Sequence, residues 1–262
     1  MTTMDLERKK FSRTVLNLSE WAPDYDNEAQ NVAKELVESL FAGMASRSMR
    51  FYDKRLGICE MPYLYTERRL DSIMMPVLSN ICYGLALDEV PVERRYTSKQ
   101  KKSKVSQGRY DYWCIYKGYS FVIEVKHGFD AFYHSTTVRE RTLDLWNTMI
   151  KQLKSTKKDV ECYSEKTKGI IRLGLMFVTS YTDKEPTESI VKRFRRKIPE
   201  ISHTFLNELG TGVIIPRPDM ITLWQIPDRV IFSEDRPYKG TFPGFWLLAK
   251  FFEPIKHKEA KR

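Results

Sequence analysis

Arg109-Tyr110-Asp111-Tyr112-Trp113-Cys114-Ile115-Tyr116-Lys117-Gly118-Tyr119-Ser120-Phe121-Val122-Ile123-Glu124-Val125-Lys126 reads as a β-hairpin. Its halves, 110–116 and 119–125, are rich in aromatic and β-branched residues, and Lys117-Gly118 supplies a two-residue turn between them. A turn that tight sets Tyr116 against Tyr119, and the same register sets Asp111 against Glu124. Directly opposed residues share a face, with Cβ atoms roughly 5 Å apart. Lys126, two residues beyond Glu124, lies on that face as well. Two carboxylates and an amine are thereby gathered in one small patch.

Opposed like charges destabilise a sheet unless something compensates, and a divalent cation would do so. Mg²⁺ takes carboxylate, carbonyl and water oxygens in an octahedron. Asp111 and Glu124 could share such an ion, with the Val125 carbonyl between them as a further ligand. Lys126 could position a water or meet charge developing on a phosphate. The plainer alternative makes Asp111 an edge-strand acid, and Glu124 and Lys126 the polar face of a strand, ion-paired with Arg109. Against it, Phe121, Ile123 and Val125 bury one face, while Val122 beside Glu124 marks the other as partly covered. A half-buried carboxylate pair with a lysine is costly unless it is used or satisfied.

Working outward, residues 27–44 have the periodicity of an amphipathic helix, with Val32, Leu36, Leu40 and Phe41 on one side. Thr66 can cap a second helix starting at Glu67. There Leu70, Ile73, Met74, Val77, Leu78 and Ile81 form a core-facing stripe with Glu67 at its border, and Pro76 should kink the helix. Residues 90–97 suit a first strand, with the basic segment after it as a loop. Residues 138–154 suit a helix, and the apolar run 169–180 a strand covered on both faces. Residues 185–209 suit a helix, 221–232 contain strand material broken by Pro227, 245–252 suit a last strand, and 256–262 a frayed tail. The expected division is a helical extension over 1–62, a core over 63–182, an α/β extension over 183–252 packed on that core, and a basic tail over 253–262.

The chain has 262 residues, a net charge of +10, 42% hydrophobic and 13% aromatic residues, as a globular protein does. The first residues lack the apolar core of a signal peptide, and no run approaches the roughly 18 apolar residues of a spanning helix. Cys59, Cys82, Cys114 and Cys162 form no CxxC pair, which argues against a zinc module and suits a reducing, cytoplasmic setting. Basic residues cluster at Arg94, Arg95, Lys99, Lys101, Lys102 and Lys104, and again over 192–197. Such clusters suit a polyanion's phosphates, or else solvated surface. His127 and His134 lack the partners of a metal site and read as structural. No glycine-rich phosphate loop or nucleophile–histidine set is present.

Asp111, a hairpin, then Glu124-Val125-Lys126, in the order helix, strand, two hairpin strands, helix, buried strand, resembles the PD-(D/E)XK nuclease superfamily. The resemblance spans 67–180. It implies an α/β fold with a restriction-endonuclease-like α-β-β-β-α-β core, a central mixed sheet flanked by helices. It implies a Mg²⁺-dependent deoxyribonuclease (Mn²⁺ substituting), an endonuclease before an exonuclease, with double-stranded DNA as partner, no membrane, and a homodimer as one assembly. By resemblance Asp111 and Glu124 are metal ligands with the Val125 carbonyl, and Lys126 is the catalytic lysine. Glu67 matches the glutamate that the family often adds from the preceding helix, with Asp71 as its substitute, and Gln152 matches a polar residue in the following helix. Tyr110 stands where the family's proline would precede the first acid. The alternative is a non-catalytic nucleic-acid-binding or assembly protein on the same fold. A third reading joins the basic surface to an acidic protein.

Overall fold

The structure, a computed structural model, describes residues 7–11, 14–18, 28–65, 67–97, 103–131, 137–155, 166–210 and 215–255. In chain order it forms β1 (Glu7–Phe11), β2 (Thr14–Leu18), α1 (Glu28–Ser48), β3 (Tyr52–Asp53), β4 (Ile58–Cys59), α2 (Glu67–Ile81), β5 (Ala86–Thr97), β6 (Ser103–Tyr116), β7 (Tyr119–Asp130), α3 (Glu140–Ser155), β8 (Ile170–Thr182), α4 (Glu188–Glu208), β9 (Met220–Gln225), α5 (Asp228–Ile231) and β10 (Thr241–Ile255). The chain is α/β. Among the described residues one mixed sheet runs β1-β2-β9-β10-β8-β7-β6-β5, and β3 pairs with β4 apart from it. Within that sheet β7 and β8 are parallel and the other pairs antiparallel.

Alternation along the strands sorts the core into two layers. Tyr112, Phe121, Ile123, Val125, Leu173 and Leu175 pack with α1 and α2 on one face. Trp113, Val122, Met176 and Val178 pack with α3 and α4 on the other. The stripe of α2 is buried at Leu70, Ile73, Met74 and Leu78. The helix continues through Pro76, and a packing contact explains how. Proline removes the N–H that would reach the Ser72 carbonyl, and Arg47 Nε of α1 donates to that oxygen at 3.3 Å. Gly43 makes the approach of α1 to α2 feasible, since a Cβ there would stand 2.4 Å from Val77 Cγ1.

Several expectations change. Residues 1–62 are not helical throughout: β1 and β2 lie there, and β2 extends the sheet by pairing with β9. One sheet also crosses the expected boundary between core and C-terminal extension. β10 lies between β8 and β9, because Phe245 and Leu247 face one core layer while Trp246 and Leu248 face the other. A strand buried on both faces needs partners along both edges to satisfy its backbone. β5 starts at Ala86 rather than Val90 and includes Arg94 and Arg95, as a strand over 90–97 requires, while Lys104 lies in β6 rather than in a loop. Lys99, Lys101, Lys102, Thr66, His134, Cys162 and the tail 256–262 fall outside the described residues. No helix among the described residues is long and apolar enough to cross a membrane.

Candidate active site

Lys117 and Gly118 have φ of +46° and +82°, the paired positive angles of a type I′ turn. The turn fixes the ladder from Tyr116↔Tyr119 to Tyr112↔Ile123 as the sequence requires. There the ladder stops. In place of a next main-chain pair, the Val125 N–H donates to Asp111 Oδ2 at 2.6 Å. β6 stays with β5, and β7 stays with β8 through Glu124↔Gly174 and Lys126↔Met176. The charged patch therefore occupies the place where two central strands part.

Glu124 is 1% exposed. Its strand neighbour Gly174 leaves space only for α3, as a Cβ there would stand 2.9 Å from both Leu153 Cδ1 and Met149 Cε. Lys126 Nζ donates to the Val125 carbonyl at 2.7 Å and to Glu124 Oε1 at 3.3 Å. The ammonium thus answers part of the cost of burying the Glu124 carboxylate. Arg109, the alternative partner, pairs instead with Glu89 across β5.

From the other side, α2 brings Glu67 towards Lys126 and Asp111. Burial raises the Glu67 carboxyl above its ordinary range; Lys126 and the His127 main-chain N–H oppose this, while Asp111 and Asp71 add to it. Asp71, one turn further along α2, accepts from the Tyr112 hydroxyl. Burial first, then that bond, with Asp111 and Asp88 nearby, raises the Tyr112 hydroxyl far above its ordinary value. From the sequence alone Tyr112 reads as hairpin filling. Its position one residue from Asp111, in a strand facing an acid-bearing helix, is the signal available. His127 is half-buried and neutral, pushed down to about 4 by burial of its ring. Its Nε2 lies 3.0 Å from Thr179 Oγ1, whose hydroxyl donates to the Tyr63 carbonyl.

Lys126 stands against Glu124 and the Val125 carbonyl, Asp111 against the Val125 N–H, and Glu67 of α2 near Lys126, Asp111 and Asp71. Gln152 is half-buried on α3, next to Leu153 over Gly174. The exposed basic face of α4 uses Lys192 and Arg195 in ion pairs with Glu188 and Asp228, and Phe194 between them is core.

The donors are hard oxygens, and burial above all, with Asp111 and Asp71 adding to it, holds the Glu67 carboxyl up, a cost that a cation would relieve. Among the described residues no three His, Cys, Asp or Glu side chains stand close enough to hold one ion by themselves. Mg²⁺ does not require that: it is commonly held by one or two carboxylates, with waters and substrate phosphate completing the octahedron. The donor set fits such an ion.

No protein-family model matches this chain, and no curated protein matches it. A solved structure described as "Crystal structure of SSO0001" aligns with 65% of this chain and 84% of its own, at 14% identity and a TM-score of 0.21. A likeness that slight carries no argument.

Proposed function

We propose that the chain is a metal-dependent nuclease, with a restriction-endonuclease-like core, that hydrolyses phosphodiester bonds of DNA. The observation that carries this reading is the meeting of Asp111, Glu124 and Lys126 where the β6–β7 ladder stops, with Glu67 and Asp71 of α2 beside them. The element order α2-β5-β6-β7-α3-β8 supports it by analogy of fold.

Asp111 and Glu124, with Glu67 and the Val125 carbonyl, would hold Mg²⁺ or Mn²⁺. When bound, the ion supplies Lewis acidity at a phosphate oxygen and lowers the pKa of water. Asp111 is held for its part by the hydrogen bond from the Val125 N–H to its Oδ2. Lys126, with two acceptors on its own strand, holds its third N–H for water or a phosphate oxygen and meets negative charge as the phosphorane forms. Glu67, whose carboxyl burial raises, would gain from a cation because ionisation is costly there without one.

One observation favours the non-catalytic alternative: Glu124 with Lys126, and Asp111 with Val125, already satisfy one another in part. Incubation with plasmid and linear DNA separates the two. The nuclease reading expects Mg²⁺- or Mn²⁺-dependent cleavage that EDTA, Asp111→Ala and Lys126→Ala each abolish. Tight DNA binding unchanged by Asp111→Ala, with no cleavage and no metal uptake by calorimetry, would establish the alternative.

A further inference from the structure

Tyr112 is the last residue of β6 to be paired on both sides, with Asp88 of β5 and Ile123 of β7. Its side chain is 2% exposed and packs in the core layer shared with α1 and α2. Backbone pairing and burial therefore hold this residue in place, one position from Asp111 and at the point where the β6–β7 ladder stops.

The first turn of α2 lacks that support. The buried stripe of the helix starts at Leu70 and continues through Ile73, Met74 and Leu78. Ahead of it Glu67 is half-buried, and Arg68 and Arg69 are exposed. Apolar burial thus fixes the helix from Leu70 onward and does little for the turn that carries Glu67.

Asp71 supplies a tie. The Tyr112 hydroxyl donates to its Oδ1, and hydrogen bonds to an ionised carboxylate are stronger than neutral ones. That hydroxyl has one proton to give. Asp111 and Asp88 also lie near it, and Asp71 receives it. Asp71 stands four residues after Glu67, so the two carboxylates share one face of α2. Holding the second from the sheet holds the first.

Resting on the nuclease reading above, we propose that Tyr112 is a positioning residue of the metal site: through Asp71 it fixes the first turn of α2 beside the end of the β6–β7 ladder, so that Glu67, and not Asp71, is the acid this helix gives to the metal. The two acids of α2, interchangeable by spacing, thereby take different roles.

The test compares wild type with Tyr112→Phe, Asp71→Ala, Asp71→Asn, the double variant Tyr112→Phe with Asp71→Ala, and Glu67→Gln, each kept well below its melting temperature. Calorimetry reads Mn²⁺ affinity, initial rates on plasmid DNA read the Mn²⁺ dependence of cleavage, and amide hydrogen exchange in EDTA reads main-chain sites 72–74. Losing a partner behind a metal ligand weakens metal binding about 10- to 100-fold, so Tyr112→Phe and Asp71→Ala should each raise the Mn²⁺ dissociation constant about tenfold or more. The loss should fall on the half-saturating Mn²⁺ concentration rather than on the rate at saturating metal. Asp71→Asn, which keeps an acceptor for the hydroxyl, should rescue most of the affinity, whereas Glu67→Gln should not. The double variant should be no weaker than either single one. Exchange at 72–74 should quicken about tenfold in Tyr112→Phe and Asp71→Ala, and not in Asp71→Asn.

Mn²⁺ affinity within about twofold of wild type in Tyr112→Phe would overturn the positioning role. So would additive losses from Tyr112→Phe and Asp71→Ala, or an Asp71→Asn as deficient as Glu67→Gln, which would make Asp71 a ligand. Wild type that takes up Mn²⁺ without cleaving DNA would contradict the nuclease reading, with the affinities still deciding the role of Tyr112. Wild type that takes up no Mn²⁺ would contradict that reading too. The exchange pattern then decides alone: quickening in Tyr112→Phe and Asp71→Ala supports the tie, and unchanged exchange overturns it.

Discussion

The two ends of the β6–β7 hairpin share one register and differ in what closes them. At the turn end, Tyr112–Tyr116 pairs residue for residue with Tyr119–Ile123, Phe121 is sealed in the core, and Trp113 Nε1 donates to Ser120 Oγ at 2.8 Å. At the far end the main-chain ladder is replaced by a carboxylate: Asp111 takes the Val125 N–H, and Glu124 and Lys126 sit beside the gap. The first end is held by burial and backbone pairing, the second by charges that need one another. The second end presents carboxylate oxygens, acceptors that a closed ladder lacks.

The sharpest way to break this contrast is to alter each end separately. Asp111→Asn keeps an acceptor for the Val125 N–H, so the fold should persist while Mg²⁺-dependent cleavage falls on the order of 1,000-fold. Phe121→Ala should do the reverse, costing about 3–5 kcal/mol in urea denaturation while cleavage per folded molecule survives. Equal damage to both properties by both variants would erase the distinction between the two ends.

A smaller effect comes from His127, whose imidazole burial pushes down from 6.5 to about 4. The unfolded chain then binds the proton more readily between those values, so stability is complete above pH 6.5 and declines as the pH falls towards 4. The span corresponds to about 3 kcal/mol. His127→Gln should flatten that acid limb in thermal melts taken across the window, and an unchanged limb would refute the neutral histidine.

Glu67 has the opposite sign and the smallest effect. Its carboxyl is raised, chiefly by burial, so the native state holds the proton more tightly than the unfolded one. Its stability contribution is most favourable below the ordinary value of 4.5 and is lost as pH rises through the raised one. Glu67→Gln should therefore raise the melting temperature at neutral pH, leave it unchanged well below 4.5, and weaken Mn²⁺ binding. A lower melting temperature at neutral pH would mean that Lys126 and the His127 N–H outweigh burial.

How much of this could be read from the sequence follows from the range of each interaction. The hairpin register was legible because two turn residues determine it, and α2 was legible because its stripe repeats within fifteen residues. The order helix, three strands, helix, strand came from such local signals. The end of the ladder at Tyr112↔Ile123 was not legible, since it depends on one side chain capturing one N–H across the gap. Nor was β10 between β8 and β9, or β2 against β9, because strand neighbours distant in sequence leave no local mark. Within the site, spacing alone points to Asp111, Glu124 and Lys126. Tyr112 on Asp71 and the His127 N–H on Glu67 needed the packing of α2 on the sheet, which periodicity indicates only as a face.

The most direct test of the central claim is anomalous diffraction from crystals soaked in Mn²⁺. A carboxylate pair at an open strand gap predicts a peak between Asp111 and Glu124, with Glu67 or the Val125 carbonyl in contact, and no peak there in Asp111→Asn. Full occupancy of Mn²⁺ elsewhere, with the Glu124–Lys126 and Asp111–Val125 contacts unchanged, would contradict it.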